Sequence, residues 1–305
     1  MDVSIIIVNY NTRELLRNCL ESIYQHTINI NFEVIVSDNG SQDGSVEMIK
    51  KDFSQVILIE NNANLGFGTA NNRGLAIAKG KYIFYLNSDT VLLNNAVKLF
   101  YDYWENSPDK ESIGALGCNL QDGEGNVTHS WANFPDCNTA IIDLIRLNYG
   151  MIKLCCFKVL GKKFPEIATE TKVVKKKIGE VDFIIGADLF LKNDNNAFFD
   201  EAIFLYTEEV DLQFQLKKEN KKRLLIDGPV ILHLEGASSK NFIKSPFPDI
   251  TSFSSKCKNI SRVYYFRKNS SYLKSVVVKV LTIFLWLNPL VIRYTYHSLR
   301  ELIRR

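Results

Sequence analysis

No pair of cysteines in this sequence has the spacing of a zinc site or a redox motif. The six (Cys19, Cys118, Cys137, Cys155, Cys156, Cys257) include no CxxC, which excludes a structural zinc and a disulfide scaffold as the organising principle. They read as small, buried, reduced side chains, as in a reducing compartment. No large net charge is present either: 37 Lys+Arg against 34 Asp+Glu leave +3, so the chain does not bind nucleic acid through bulk charge. The GxGxxG fingerprint is missing after the first apolar run, where Asn9-Tyr10-Asn11-Thr12-Arg13 stands instead. That sets aside a dinucleotide-dependent oxidoreductase. No apolar run reaches the ~20 clean residues of a membrane span; the nearest, 276–292, is broken by Lys279 and Asn288-Pro289. There is no internal repeat and no low-complexity tract. No basic leader precedes Val3, so no secretory signal is expected.

What remains is an ordinary globular composition, 46% apolar and 23% charged over 305 residues. That suffices to bury a core without staples, in one large domain or two small ones. The first 120 residues alternate between two periods. Apolar runs of strand length at 3–10, 32–37, 56–60, 82–86 and 113–120 are separated by stretches of helical spacing at 13–25, 45–51, 69–79 and 96–105. Short buried strands alternating with helices predict an α/β fold, a mostly parallel central sheet flanked by helices. Ligands bind such sheets at the carboxyl ends of the strands, where Asp38 and Asp89 fall. The later chain is less regular. Residues 162–177 read as a basic loop, 181–191 as a strand, 224–226 and 230–234 as strands around Asp227-Gly228-Pro229. The 207–220 segment alternates like a strand. Thr207 as a cap, Glu208 and Glu209 in a first turn and Lys217-Lys218 in a last favour a helix.

Two acidic segments invite chemistry. Asn87-Ser88-Asp89-Thr90 ends an apolar strand, and Glu208-Glu209-Val210-Asp211 opens the predicted helix, with His233 following 24 positions after Glu209. A carboxylate at a strand end can hold a hard cation, and a second beside it can act as a base. The plainer alternatives are a turn or helix cap at Asp89 and dipole-favoured acids at 208–211.

In order and spacing, several motifs resemble glycosyltransferase family 2 enzymes of the GT-A fold, in particular the bacterial rhamnosyltransferase-like branch. They are VSIIIVNYN (3–11), VSDNGSQDGS (36–45), NNANLGFGTANNRG (61–74), LNSDT (86–90), Gly186-Ala187, YTEEVDL (206–212) and HLEGAS (233–238). The likeness covers roughly residues 3–240. It implies a GT-A domain over 1–240, with a nucleotide-sugar-binding half at 1–120 and an acceptor and catalytic half at 121–240. It also implies an inverting transferase that uses a nucleotide-diphosphate sugar, first of all dTDP-rhamnose, and a Mg or Mn cation. Asp38 is matched to recognition of the base, with Val8 and Tyr10 as its walls or as ordinary core. Asn64, Gly66, Asn71, Asn87 and Ser88 are matched to the donor, or to a polar loop and helix start. Asp89 and His233 are matched to the metal; His26, His129 and His297 have no such support. Glu209 is matched to the general base, where the family more often has Asp. At an ordinary carboxylate pKa of about 4.3 it is ionised at neutral pH. Glu208, Asp211, Gly186 and Trp131 fall on the acceptor side, Trp131 to stack on a sugar or to fill core. Asn87 stands where the family signature Asp-x-Asp has its first acid.

The last fifty residues differ in kind. From 256 on, eleven Lys/Arg stand against one acid, Glu301. Residues 276–292 are expected as one or two helices on the domain or on a bilayer. Residues 241–305 are thus expected as a C-terminal helical, basic and apolar membrane-associating extension. With the basic 146–177 stretch, they suggest an anionic membrane surface, a lipid-linked or oligosaccharide acceptor, and a peripheral place on the cytoplasmic face of the cell membrane. Two rival readings are a catalytically inactive nucleotide-sugar-binding scaffold of the same fold, supported by Asn87 and Glu209, and an RNA-binding module. The tail has no recognisable RNA motif, so no nucleic-acid partner is expected.

Overall fold

The computed structural model describes residues 1–159, 176–234, 250 and 252–304. Most of the expected 162–177 loop, through 175, lies outside them, as do 235–238 of the segment after His233. In chain order the elements are β1 (Val3–Asn9), α1 (Arg13–His26), β2 (Phe32–Asp38), α2 (Ser45–Asp52), β3 (Ile57–Glu60), α3 (Phe67–Leu75), β4 (Tyr82–Leu86), β5 (Thr90–Leu92), α4 (Ala96–Asn106) and β6 (Ile113–Cys118). Then follow β7 (Trp131–Ala132), α5 (Cys137–Val159), β8 (Gly179–Glu180), β9 (Phe183–Ile184), β10 (Asp188–Lys192) and α6 (Glu208–Lys218). The chain continues through β11 (Lys222–Ile226), β12 (Ile231–His233), α7 (Phe253–Asn269), α8 (Tyr272–Leu287) and α9 (Ile292–Arg304).

Two compact units emerge. One holds residues 1–134, 176–204 and 208–234; the other holds 135–159, 205–207, 250 and 252–304. The first unit is built on an eight-stranded sheet in the order β3-β2-β1-β4-β10-β6-β11-β8. Six strands run parallel; β10, between β4 and β6, and edge strand β8 run against them. The strand runs lack polar alternation because both faces are covered. Ile5, Ile7, Val34, Val36, Phe84 and Phe190 pack with Leu16 and Leu20 of α1, Met48 of α2 and Phe100 of α4. Their neighbours Ile6, Ile35, Ile83, Tyr85, Leu189 and Leu191 point the other way, onto Phe199 and onto Leu212 and Leu216 of α6.

Among the differences from expectation are the following. α3 begins earlier, after Gly66, and stops at Leu75, because Ile77 and Ala78 bond back to Gly74 and Leu75 in tighter three-residue turns. The predicted 181–191 strand splits into β9 and β10 around Gly186. β5 was not predicted: three residues carry little periodicity, and its partner β12 lies far along the chain.

The second unit is helical. α8 and α9 part at Asn288-Pro289, where Asn288 Oδ1 accepts from Leu290 N–H at 2.9 Å. Val278, Leu285 and Trp286 are fully buried. No helix among the described residues is long and apolar enough to cross a membrane. All six cysteines are free, and Cys19, Cys118 and Cys137 are buried.

Candidate active site

At the end of β4 the chain turns through Asn87-Ser88-Asp89 into β5. Thr90 closes this turn with its N–H and hydroxyl on the Asn87 carbonyl, at 3.3 and 2.7 Å. β5 pairs with β12 so that Thr90 faces His233. Asp89 and His233 therefore meet: Oδ1 lies 3.4 Å from Nε2, and both side chains are less than a tenth exposed. The Asn87 amide oxygen is buried and accepts no hydrogen bond among the described residues. The Ser88 hydroxyl lies 2.9 Å from that of Thr12, whose single proton goes to Asn9 Oδ1 at 2.7 Å, so Ser88 donates. Among the described residues no three acids, histidines or cysteines form a closed metal cage.

Glu209 is tied to this turn through the β9–β10 bend. The Asn87 N–H donates to the Ala187 carbonyl at 3.0 Å. A Cβ on neighbouring Gly186 would stand 3.2 Å from Glu209 Cβ, so the missing side chain is what lets the base candidate approach. Glu209 is half-buried, whereas Glu208 and Asp211 are buried. Burial, then the charge of Glu209, pushes the Glu208 carboxyl well above the usual range, and its Oε2 has no partner. Asp211 accepts from Gln215 at 3.3 Å. Tyr206 and Thr207, just before α6, both have left-handed backbones at φ 65 and 68, a strained arrangement for residues with side chains. The expected Thr207 cap does not form, its hydroxyl being buried without a partner among the described residues.

Gln213 escaped the sequence reading. Fully buried, it both donates to the Ile184 carbonyl and accepts from its N–H, each at 2.8 Å. This clamp fixes α6 against the strand leading to Gly186. The only trace in the sequence is a glutamine one helical turn after Glu209 on a buried face.

The residues expected on the donor side lie at and around the ends of β1 and β2. Asp38 is buried; Oδ1 accepts from the Gly40 and Ser41 N–H groups at 3.0 and 2.9 Å, and Oδ2 from Asn9 at 2.7 Å. Asp38 thus closes a turn through its own side chain, and one Oδ2 lone pair remains for a ligand N–H. Asn39, also missed, donates to the Gly66 carbonyl and Asn64 Oδ1. Asn64 accepts from the Gly66 N–H at 3.0 Å. Asn71 is turned back onto its own helix, donating to Phe67 at 3.1 Å. Val8 is half-buried and Tyr10 exposed at the end of β1. Trp131 lies on β7, paired with β9, with Lys177 Nζ 4.1 Å from its ring centre and its indole N–H buried without a partner.

A family model described as Glycosyl transferase family 2 matches residues 4–163, more than half of the chain. The chain belongs to glycosyl transferase family 2. This family 2 chain is 31% identical over 121 residues to a poly(ribitol-phosphate) beta-glucosyltransferase of Bacillus spizizenii, covering 38% of the chain and 19% of that protein. It is 30% identical over 182 residues to an uncharacterized glycosyltransferase of Methanocaldococcus jannaschii, covering 57% of each. The family 2 chain thus spans about a fifth and somewhat over half of these two curated relatives. A mannosyltransferase of Pyrobaculum calidifontis, solved with GDP-Man and Mn2+, superposes with TM-score 0.52 at 13% identity, over 99% of this chain and 75% of that one. The shared fold is GT-A, the expected mostly parallel sheet flanked by helices with further helices at the C-terminus.

Proposed function

We propose that the chain is an inverting glycosyltransferase moving a sugar from a nucleotide-diphosphate donor to a saccharide or lipid-linked glycan of a cell-surface polysaccharide. The observation that carries this reading is the meeting of Asp89 with His233 at 3.4 Å; two residues before Asp89, the buried Asn87 amide oxygen has no partner among the described residues. One carboxylate, one amide oxygen and one imidazole suit Mg or Mn, which keep waters and substrate phosphate in their shells. These three residues would hold the cation, whose chemistry when bound is to neutralise charge on the departing diphosphate.

Glu209 is the general base. It takes the proton of the acceptor hydroxyl as that oxygen attacks the anomeric carbon opposite the leaving diphosphate, and a single displacement inverts the centre. Gln213 and Gly186 hold α6 where Glu209 reaches the cleft. Asp38 uses its remaining lone pair on a pyrimidine N–H, between Val8 and Tyr10. Asn64, Gly66, Asn71 and Ser88 line the donor, and Trp131 and Asp211 the acceptor side. The donor to test first is dTDP-rhamnose, as the resemblance implies. UDP-glucose comes next, given the glucosyltransferase relative.

Glu209→Gln tests the reading. Nucleoside-diphosphate release with acceptor present should fall about 10²–10⁴-fold, while calorimetry finds donor binding unchanged. Turnover near the parental rate would reject Glu209 as base. A parent protein that binds donor yet never turns it over with added manganese would be the inactive scaffold instead.

A further inference from the structure

Two helices of the second unit carry apolar residues on their outer faces. On α8 these are Leu273, Val277, Val280, Phe284 and Leu287; on α5 they are Ile142, Ile145, Tyr149 and Ile152, all exposed. Both sets step by threes and fours, so each is one stripe along its helix. The packed faces are separate: α8 buries Val278, Thr282 and Leu285, and α5 buries Leu144 and Met151.

The stripes lie on one side of the helix pair. Asn148 of α5 donates to the Leu281 carbonyl of α8 at 3.1 Å, and Cys155 donates to Asn288 Oδ1 at 3.4 Å. An advance of seven residues on one helix matches seven on the other, so α5 and α8 run side by side in the same direction. Viewed from their N-termini, at roughly 100° per residue, the α5 stripe sits about 110° clockwise of the direction toward α8. The α8 stripe sits about 80° counter-clockwise of the direction back to α5. These rotations bring both stripes to the same side, as one apolar face two helices wide.

The borders of this face are cationic. Lys153 Nζ stands 4.8 Å over the Tyr149 ring, with exposed Arg146 one turn away. On the other flank Arg267 and Lys279 share a cavity of about 220 Å³ with Tyr264 and Tyr272. The acid beside this border, Asp143, lies 3.6 Å from Arg146.

The geometry points to an anionic phospholipid surface as the partner of the α5–α8 face. The stripes enter the acyl boundary and the bordering cations meet lipid phosphates, with both helices in the interface plane. A second copy is the poorer occupant, because a symmetric contact sets these same cations against one another. The assignment is independent of the transfer reaction, since binding is read without turnover. It also moves the membrane face beyond the C-terminal segment, because half of it comes from 142–152.

Flotation of the full chain with phosphatidylglycerol–phosphatidylcholine vesicles, and with phosphatidylcholine alone, tests it at low and high salt. The parent should float with the anionic vesicles and release as salt rises. Val280→Glu with Phe284→Glu, and separately Ile145→Glu with Tyr149→Glu, should each weaken binding about ten-fold or more, with unchanged circular dichroism and melting. Arg267→Gln with Lys279→Gln, which leaves the stripes intact, should weaken flotation on anionic vesicles alone. Undiminished flotation of the stripe variants overturns the proposal, as does equal binding to neutral vesicles. Loss confined to the α8 variant overturns the two-helix face. A dimer in sedimentation that the stripe variants dissolve, with no flotation of the parent, gives the face to a second copy.

Discussion

The first unit buries apolar side chains on both faces of its sheet and sinks polar ones at the strand ends. The second packs its helices inward and leaves apolar stripes outside. Each departs from ordinary practice in a different direction. Burying Asp38, Asp89, Glu208 and His233 costs stability unless their polar atoms are bonded or neutralised, and such costs concentrate where chemistry requires them. Leaving Phe284 63% exposed forgoes ~1–2 kcal/mol of burial, a loss that a surface recovers only by binding something. Buried polarity is the basis of the proposed site in one unit, and exposed apolarity the basis of the proposed lipid contact in the other.

The largest stability effect should come from the sheet core. Phe190 is fully buried, 5.5 Å from the ring of Phe100 and 5.2 Å from that of Tyr82. Phe190→Ala should cost about 3–5 kcal/mol through lost transfer energy and a residual cavity, read from the urea midpoint at constant slope. A cost below ~1 kcal/mol would show that this core collapses around the gap.

Much of the first unit was legible because its signals are local. The runs at Ile5–Val8 and Tyr82–Leu86 are apolar without interruption, and Leu16, Cys19, Leu20 and Ile23 mark the buried face of α1 from spacing alone. Asp38 and Asp89 could be placed at strand ends for the same reason. The Asp89–His233 contact could be guessed only from motif order, since it depends on pairing β5 with β12, and three-residue strands leave almost no periodic trace. Gln213 was illegible because its partner is a backbone amide, which has no letter in a sequence. The shared face of α5 and α8 was half-visible. Basic and apolar composition flagged the C-terminus, but which side of α5 turns outward depends on where Asn148 meets Leu281.

Gly66→Ala should act next most strongly. Gly66 has φ +86 and ψ 169, and a Cβ there would lie 2.3 Å from the Phe204 carbonyl oxygen. That backbone region costs a side chain ~1–3 kcal/mol, and backbone at 2.3 Å cannot yield as a flexible side chain would. Melting should drop, and donor binding should weaken with it, since the Asn39 and Asn64 bonds fix this loop. Unchanged melting with intact donor affinity would mean that the loop relaxes freely.

Asp188 makes a smaller, pH-dependent contribution. It is fully buried and Oδ2 accepts from the Cys118 N–H at 2.7 Å. Burial raises its pKa from 3.8 to about 7, outweighing the lowering by that bond and by nearby His233. Between these values the folded state keeps a proton that the unfolded state releases. Stability therefore falls as pH rises through the window and levels off above it. Asp188→Asn should flatten that slope and, above pH 7, gain about a kcal/mol or two on the parent. An unaltered slope would place the titration on another group.

Phe284→Ala should do least to the fold, and that is its value. The side chain is as aromatic as Phe190, yet its exposure means that folding gains little from it, so the change in stability should stay within ~0.5 kcal/mol. Vesicle binding should nonetheless weaken measurably, because the proposed lipid contact is where that ring would be buried. One substitution type, phenylalanine to alanine, would then separate the units by opposite readouts: stability without lipid at 190, lipid without stability at 284. A melting loss at 284 comparable to that at 190 would mean that the stripe is covered within the protein itself.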